Sequence, residues 1–315
     1  MKYTRLFLAA MLCAVGAFPP ALAATSAEDE AKYQSDMADG RELLKAGGRE
    51  DLVRAIARFK SALKIRPESA EAYYWMALTY SDQNNYLRAA DNAKDATIYD
   101  DKLADAWLLW GQVLLYQKEW NDALEKLETA ARLDPDNPQT QFNLGRVYYH
   151  GFRDPDTALS KFRAVWQAGA TLRRENSENI PIVVRSRLYM GYCEFDRGRW
   201  DNAINAFRDV LNDQPGNFEA ALRLALCYRH SNRSSECERI LWNMLKAIPP
   251  ENPANRQYLA EINLQLGDLY LKDTALKNSM LATTHLREFI NLSGDASHPA
   301  LEPAREYLVL HEPNG

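Results

Sequence analysis

The chain has 315 residues, of which 46% are hydrophobic and 26% are charged, the composition of an ordinary globular protein. Its formal net charge at pH 7 is −5. An acidic chain without a run of basic residues lacks the electrostatic footprint of a protein that binds nucleic acid or anionic lipid. We therefore expect no nucleic-acid partner.

The first 23 residues have the pattern of a secretory signal peptide. Lys2 and Arg5 precede an apolar run from Leu6 to Phe18, and residues 21–23 (Ala-Leu-Ala) form a small-x-small cleavage motif. The apolar run is short for a bilayer span, which needs about 20 residues. We expect cleavage after residue 23 and a periplasmic or secreted mature chain; an uncleaved membrane anchor is the alternative. No later apolar stretch approaches membrane length, so we expect no membrane insertion after cleavage.

Two kinds of residue recur with one period along the rest of the chain. Small residues in a helical setting lie 34 apart at Ala77, Gly111 and Gly145, and again at Gly191 and Ala225. Prolines that end helices lie 68 residues apart, twice that period, at Pro67 and Pro135, and 34 apart at Pro215 and Pro249. Two independent markers with one period indicate an array of structural repeats.

The clearest repeat unit runs from Trp107 to Pro135. Its first helix carries an apolar stripe at helical spacing, formed by Trp107, Trp110 and Leu114. Gly111 and Ala123 have little or no side chain, so the two helices of a hairpin can approach closely there. Leu127 continues the buried face of the second helix. Pro135 cannot extend that helix, and it turns the chain toward the next hairpin.

This period and these residues resemble the tetratricopeptide repeat (TPR), a hairpin of two α-helices. The resemblance covers about residues 32–292 and implies an all-α fold, a right-handed α-α superhelical solenoid of about seven TPR-type helical hairpins. Residues 24–292 would form this solenoid. In residues 293–315, a short helix from Pro303 to Leu310 would cover the apolar face of the last hairpin as a C-terminal capping helix.

One interval between small residues is much longer than 34. Gly145 and Gly191 are 46 residues apart, an excess of 12. The excess predicts an extra segment at residues 167–180, either a loop or an extended helix end, with residues 173–175 (Arg-Arg-Glu) exposed. Insertions in repeat arrays lie in loops and often adjust one face for a partner. Tolerated sequence drift is the alternative.

The sequence has no phosphate-binding glycine loop, no metal-spaced group of His or Cys, and no nucleophile elbow. His150 and His230 lie at equivalent places near the ends of two first helices, but in repeats that are not adjacent. We interpret them as polar helix ends rather than as metal ligands. We therefore expect no catalytic residue, no cofactor and no metal, and we interpret the protein as a non-enzyme.

Three cysteines follow the signal region, at Cys193, Cys227 and Cys237. In an oxidising compartment a disulfide must be considered. Cys193 and Cys227 are equivalent residues of adjacent first helices, and parallel side chains on helices about 8–10 Å apart rarely reach disulfide geometry. Cys237 replaces the small inward-facing residue of a second helix. We expect three buried thiols, with a disulfide as the alternative.

The resemblance to TPR proteins also indicates where a partner would bind. In that family, first-helix residues that are not used for packing within the hairpin line the concave face. Here they predict a peptide-binding groove lined by Tyr74, Trp75, Leu109, Gln112, Asn143, Arg146, Tyr149, Tyr189, Tyr192 and Arg223. Some family members hold a chain-terminal carboxylate there through Lys and Asn, but this sequence has Leu108, Phe142 and Leu188 at those positions. The alternative for about half of the set is packing between repeats.

Aromatic and Arg side chains dominate the energetics of protein interfaces. We therefore interpret the chain as an exported, non-enzymatic protein–protein interaction scaffold that binds a peptide or helix of another envelope protein in this groove. The alternative is a structural subunit of a larger envelope assembly, which would contact its partners through the convex face or the ends of the solenoid.

Overall fold

The computed structural model describes residues 26–169, 171, 180–293 and 298–311, and the regular secondary structure in these ranges is helical. No helix within them is long and apolar enough to cross a bilayer. The described residues fall into two compact units that divide between Asp100 and Asp101. The predicted signal peptide, residues 1–23, lies outside the described residues.

The described residues of the first unit form two helical hairpins. Its helices are α1 (Ala27–Ala46), α2 (Arg49–Ile65), α3 (Ala70–Asp82) and α4 (Tyr86–Tyr99). The side chains of Ser26, Ser69 and Asn85 accept hydrogen bonds from backbone N–H groups in the first turns of α1, α3 and α4. These bonds satisfy donors that the start of a helix leaves unpaired.

Within the described residues, the second unit contains five hairpins and one further helix. Its helices are α5 (Ala104–Gln117), α6 (Trp120–Leu133), α7 (Pro138–Arg146), α8 (Pro155–Gln167), α9 (Ile180–Asp196), α10 (Trp200–Asp213), α11 (Phe218–His230), α12 (Ser234–Ala247), α13 (Arg256–Lys272), α14 (Ser279–Leu292) and α15 (Leu301–His311). Odd-numbered helices from α1 to α13 are the first helices of hairpins, and even-numbered helices are the second. The seven hairpins confirm the predicted all-α fold of TPR-type hairpins.

In five of the seven hairpins, one large side chain of the second helix lies against a glycine of the first. In the clearest unit, a Cβ atom added at Gly111 of α5 would lie 2.7 Å from Leu127 Cγ of α6. The same pairing joins Phe59 to Gly40, Phe162 to Gly145, Phe207 to Gly191 and Leu286 to Gly267. These large side chains are buried, and the burial of each contributes about 1.5–3 kcal/mol. The 34-residue period therefore marks the closest helix contacts.

The turn between the first and second helices has one geometry in four hairpins. Seven residues after the small residue of the first helix comes a residue with positive φ, at Asn84, Lys118, Gly198 and Asn232. The following residue donates its backbone N–H to the carbonyl three positions after the small residue, as Glu119 does to Leu114 at 2.9 Å. This hydrogen bond closes the end of the first helix.

The fourth hairpin departs from this geometry. Helix α7 continues directly into a π-helical turn, Val147–Gly151. Its positive-φ residue, Arg153, stands eight residues after Gly145 rather than seven. The closing bond, from Asp154 N–H to Tyr148 O at 3.0 Å, also spans one residue more than its counterparts. One of the 12 excess residues that the sequence placed at 167–180 therefore lies in this turn.

The rest of the predicted insertion is largely outside the described residues. Helix α8 ends at Gln167 and α9 begins at Ile180, and the structure does not describe residues 170 and 172–179. Residues 173–175, which were predicted to be exposed, are among them. The choice between a loop and an extended helix end stays a prediction.

Helix α15 packs against the last hairpin. Its Leu301 and Ala304 lie in one apolar cluster with Leu286 and Phe289 of α14. The helix begins two residues before Pro303, where the sequence predicted its start. Proline is tolerated in the first turn of a helix because the first N–H groups have no intrahelical partner. The predicted capping helix is present, with the bounds Leu301–His311.

Cys193, Cys227 and Cys237 are buried, free thiols. Burial raises the pKa of each thiol to about 12. Because the thiolate is the reactive form, these three side chains are inert near neutral pH while the hairpins are closed. Their role in the structure is that of small apolar residues.

Candidate functional site

The ten residues predicted to line a groove divide between the two units. Tyr74 and Trp75 lie on α3 of the first unit, where their rings meet edge-on with centroids 5.2 Å apart. Trp75 Nε1 donates to Glu71 Oε1 at 3.4 Å, and Arg41 of α1 forms an ion pair with the same carboxylate at 3.0 Å. The charged neighbours of Trp75 are therefore already paired with each other. The other eight residues belong to the second unit.

Two of these eight are buried, and the prediction of a groove contact was wrong for them. Leu109 is 4% exposed and Asn143 is 0% exposed, with Asn143 Oδ1 accepting a hydrogen bond from Arg146 at 3.3 Å. Both residues stand two positions before the small residue of their first helix, as Tyr189 and Arg223 do in later hairpins. At this position the longer side chains remain partly exposed, whereas the short side chains of Leu and Asn are covered. Leu109 and Asn143 are therefore covered by neighbouring parts of the protein and do not line an exposed groove.

Three tyrosines from α9 and the π-helical turn form a continuous aromatic surface. The ring of Tyr189 meets those of Tyr192 and Tyr149 edge-on, at centroid distances of 5.4 and 5.9 Å, and Tyr149 stacks on Tyr192 at 6.4 Å. Beneath them, the buried rings of Phe142 and Phe162 lie 5.6 and 4.9 Å from Tyr189. Each aromatic pair adds about 0.5–1.5 kcal/mol beyond its buried area. Tyr149, Tyr189 and Tyr192, all half-buried, are called the tyrosine cluster below.

Two hydroxyl groups of the tyrosine cluster donate hydrogen bonds to carboxylates. Tyr149 Oη donates to Asp196 Oδ2 at 2.7 Å, and Tyr192 Oη donates to Glu219 Oε1 at 3.5 Å. Burial raises the pKa of both tyrosines above the ordinary value of 10, and the neighbouring carboxylates raise it further. Both phenols are therefore neutral hydrogen-bond donors at physiological pH, and their rings are held in one orientation.

His150, which the sequence predicted to be a polar helix end, adjoins the tyrosine cluster. Its Nε2 lies 3.2 Å from Tyr189 Oη, and its ring meets Tyr149 and Tyr189 edge-on. Burial lowers the pKa of His150, and the positive charges of Arg146 and Arg153 lower it further. The imidazole is therefore neutral at pH 7, and the field around it is positive.

Arg223, a predicted groove residue, is held by its own helix. Its guanidinium carbon lies 5.6 Å from the ring centroid of Tyr192, and its Nε donates to Glu219 Oε1 at 3.0 Å. Glu219 therefore receives hydrogen bonds from both Arg223 and Tyr192. This arrangement fixes the edge of the tyrosine cluster and neutralises the charge of Arg223.

Arg146 and Arg185 flank a single buried ring, that of Phe142. Their guanidinium carbons lie 6.0 and 4.8 Å from its centroid, and Arg146 lies 5.2 Å from the ring of Tyr116 on α5. Gln112 is half-buried on α5, four residues before Tyr116 and on the same side of that helix. Among the described residues, no carboxylate forms an ion pair with either arginine. Within the described part of the chain, no ion pair therefore neutralises these two positive charges.

The structure brings three residues to this surface that were not predicted from the sequence: Arg185, Asp196 and Glu219. Each lies four residues from a member of the predicted set, namely Tyr189, Tyr192 and Arg223. Residues four apart share one face of a helix. The four-residue spacing from predicted groove residues could therefore have identified these three residues.

This surface offers stacked rings, neutral phenol donors and guanidinium groups. In the part of the chain that the structure describes, no group of three or more His, Cys, Asp or Glu side chains could hold a metal ion.

Comparison with protein families finds repeats in two segments of the second unit. The family described as TPR repeat matches residues 111–151, and the family described as tetratricopeptide repeat matches residues 194–260. The chain contains tetratricopeptide repeats. A third family, anaphase-promoting complex, cyclosome, subunit 3, matches residues 51–130. The matched TPR segment 111–151 begins at Gly111 and ends with the π-helical turn.

Curated relatives match the chain at low identity. The chain is 24% identical to human mitochondrial import receptor subunit TOM70 over 180 residues, which cover 55% of this chain and 28% of TOM70. It is 24% identical to the CTR9 homolog of Arabidopsis thaliana over 253 residues, 78% of this chain and 22% of that protein. Chicken DnaJ homolog subfamily C member 3 is 25% identical over 275 residues, 78% of this chain and 53% of its own length. The chain thus spans less than a third of TOM70 and of CTR9.

Solved TPR structures share the fold. PilW, a widely conserved type IV pilus biogenesis factor, has a TM-score of 0.59 at 18% identity, covering 75% of this chain and 98% of PilW. A TPR protein from Parabacteroides merdae has a TM-score of 0.55 at 16% identity, covering 90% and 99%. YrrB, described as a TPR protein with an unusual peptide-binding site, has a TM-score of 0.50 at 23% identity, covering 61% and 93%.

Proposed function

We propose that this TPR protein is an exported, non-enzymatic interaction scaffold. Its partner would be a peptide or helix of another envelope protein, bound on the first-helix surface of the second unit. The observation that carries the proposal is the tyrosine cluster, three half-exposed rings gathered from the π-helical turn and α9. Solvation alone favours Lys and Glu on an exposed helix face, whereas aromatic and Arg residues supply most binding energy at interfaces.

The rigidity of the cluster also supports a binding role. Tyr149 and Tyr192 are held by Asp196 and Glu219, so little side-chain freedom remains to be lost when a partner binds. Such pre-organisation raises affinity because it lowers the entropy cost of association.

The charges beside the cluster favour a partner with acidic side chains. Arg223, one of the two arginines that the sequence predicted as contacts, already pairs with Glu219. Arg146 and Arg185 have no carboxylate partner among the described residues, and both lie beside the buried ring of Phe142. A partner segment that combines apolar side chains with Asp or Glu would match both features.

The comparisons support a scaffold of this class without naming the partner. YrrB is described as having a peptide-binding site, PilW as a pilus biogenesis factor, and TOM70 as an import receptor subunit. Export is supported by the signal-like pattern of residues 1–23.

Capture of a partner from an envelope extract tests the proposal. Combined Tyr192→Ala and Arg146→Ala changes should weaken capture by about 2 kcal/mol or more, as truncations of interface hot spots do. Tyr99→Ala is the matched control, because Tyr99 is an exposed tyrosine on the second helix α4 of the first unit. Bound protein would be quantified by mass spectrometry, and circular dichroism would check that the fold is kept. Undiminished capture would refute the proposal, and a large loss of stability would show that these side chains are core.

A structural subunit of a larger assembly is the second candidate function. It is favoured by apolar side chains on the last two helices that are 73–75% exposed, Met280, Val309 and Leu310. If this face joins copies of the chain, light scattering should show a concentration-dependent assembly that the Val309→Ser and Leu310→Ser changes abolish. A wild-type chain that stays monomeric at high concentration would rule out self-assembly through this face.

A further inference from the structure

Helix α15 is attached to the second unit by a small apolar contact. Five buried side chains form it, Leu301 and Ala304 of α15, Leu286 and Phe289 of α14, and Ala260 of α13. In the described ranges, the side-chain hydrogen bonds and ion pairs of α15 all lie within that helix. The contact with α14 therefore depends on apolar burial, which has no preferred direction. Release of α15 breaks fewer interactions than the opening of a hairpin would.

An α15 that is released from α14 needs another apolar face in order to stay helical. The helix has 11 residues, Leu301–His311, and isolated helices shorter than about 12–15 residues are marginal in water. Every copy of this chain carries the same α14 face. Eight residues, 293–300, connect α14 to α15, and a chain of that length can span up to about 29 Å. The α14 face of a second copy is therefore within reach and has the right shape.

The outer side of α15 carries apolar side chains that the protein leaves in water. Val309 and Leu310 are adjacent and are 74% and 75% exposed. Burial of one Val or Leu side chain changes an equilibrium constant by more than about tenfold. A contact between two copies that covers this pair would therefore favour a dimer, and it would leave the contact of α15 with an α14 face unchanged.

We propose that two copies of this chain exchange α15. Each α15 covers the α14 face of the other copy, and Val309 and Leu310 become buried between the copies. The exchanged contact is the same in the monomer and in the dimer, so its loss and its gain cancel. Exchange of an identical element is for this reason a low-cost route to a dimer. The inference rests on the second candidate function, self-association, and names the element that joins the copies.

Cross-linking between two differently substituted chains tests the exchange. One chain carries Leu308→Cys on α15, and the other carries Ile290→Cys on α14; both residues are half-buried at the rim of the contact. The chains are refolded together and treated with a short bis-maleimide. The native cysteines do not react near neutral pH, because burial raises the pKa of each thiol to about 12. We expect a covalent dimer in which mass spectrometry finds residue 308 of one chain linked to residue 290 of the other.

A single chain with both substitutions measures the balance between the closed and the exchanged forms. At low concentration the cross-link should be internal, and the dimeric product should increase with concentration. Addition of Val309→Ser and Leu310→Ser should lower the dimeric product at least about tenfold. The internal cross-link then shows that α15 still packs on α14. Glu306→Ser is the matched control, an exposed residue of the same helix, and it should change neither product.

Each other outcome overturns the inference, and the outcomes separate it from self-association itself. Internal cross-links alone at every concentration, or no cross-link of either kind, would exclude the exchange. A dimeric product that survives Val309→Ser and Leu310→Ser would exclude the role of this pair. Dimers in light scattering without a link from residue 308 to residue 290 between chains would leave self-association standing. A chain that stays monomeric in light scattering would refute both the inference and the second candidate function.

Discussion

At Gly111, the space that a side chain would need is occupied by Leu127. A Cβ atom there would lie 2.7 Å from Leu127 Cγ and 3.1 Å from its backbone nitrogen. We expect Gly111→Leu to lower the free energy of unfolding by about 1–3 kcal/mol, because an overpacked contact must push the helices apart. Urea denaturation followed by circular dichroism measures the change. Gly216→Leu is the control, since a Cβ there would meet nothing within 4 Å; equal losses at both sites would contradict the hairpin register.

His285 is a buried histidine whose hydrogen bonds select one tautomer. The side-chain amide of Asn263 donates through Nδ2 to Leu259 O at 2.8 Å, so its Oδ1 accepts from His285 Nδ1 at 2.8 Å. The imidazole ring also meets Trp242 edge-on and stacks on Tyr270, at centroid distances of 5.3 and 5.8 Å. Nε2 is thereby the unprotonated nitrogen, in an apolar setting that opposes a second proton.

Stability should therefore depend on pH through His285. Burial lowers its pKa below the ordinary 6.5, and Glu288 opposes this shift only in part. The unfolded chain takes up a proton near pH 6.5 whereas the folded chain does not. The stabilisation is thus complete above this pH and is lost as the pH falls toward the folded-state value. Denaturation midpoints measured from about pH 7.5 to about pH 5 should fall less in His285→Gln than in the wild type. An unchanged slope would assign the pH dependence to other groups.

At the scale of helices, α15 shields an apolar face that the last hairpin cannot bury alone. Its Leu301 and Ala304 cover Leu286 and Phe289 of α14. A terminal unit of a repeat array needs such a cover because each repeat contacts only its neighbours.

Removal of residues 300–315 should therefore loosen the end of the array and leave its middle unchanged. We expect amides of α13 and α14 to exchange hydrogen faster, while those of α5 and α6 keep their protection. Hydrogen exchange with mass spectrometry measures both regions in one experiment. The control Glu302→Gln changes an exposed residue of α15 without uncovering the apolar cluster. Loss of protection in α5 and α6 as well would show that the second unit unfolds as one.

The helical hairpins could be predicted from the sequence because the small residues at their closest helix contacts recur along the chain. The period located Gly111 and Gly145, which the structure places against Leu127 and Phe162. The repeat period alone predicts which face of a helix a residue occupies. It does not predict how deeply neighbouring side chains cover that residue. Leu109 and Asn143 were misassigned for that reason.

The π-helical turn beside the candidate site was harder to predict. A π turn leaves the apolar pattern of a first helix almost unchanged, because it adds a single residue near the helix end. The sequence signal of this turn is the interval of 13 residues between Gly145 and Ala158. This one extra residue was counted within the 12 excess residues between Gly145 and Gly191, and it was not recognised separately. Contacts such as those of Arg146 and Arg185 with Phe142 depend on how α7 and α9 approach each other. Residue spacing within one helix does not specify that approach.

For the whole molecule, the predicted export is tested by the mass of the mature chain. The basic start, apolar run and Ala-Leu-Ala motif of residues 1–23 predict cleavage before Ala24. Protein recovered from the periplasm or medium should therefore have the intact mass of a chain that begins at Ala24. Substitution of a bulky residue at Ala23 should block processing, because the motif requires a small residue there. A recovered chain that retains Leu6 to Phe18 would instead indicate a membrane anchor.

The modification rates of the three buried thiols can measure how often parts of the second unit open. With a pKa of about 12, only about one thiol in ten thousand is a thiolate at pH 8, and alkylating reagents attack that form. Labelling of Cys193, Cys227 or Cys237 must therefore wait until the surrounding hairpin opens. The rate at which each cysteine is modified then reports how often its own helix is released. If Cys237 reacts first and Cys193 last, disassembly of the array begins at its C-terminal end.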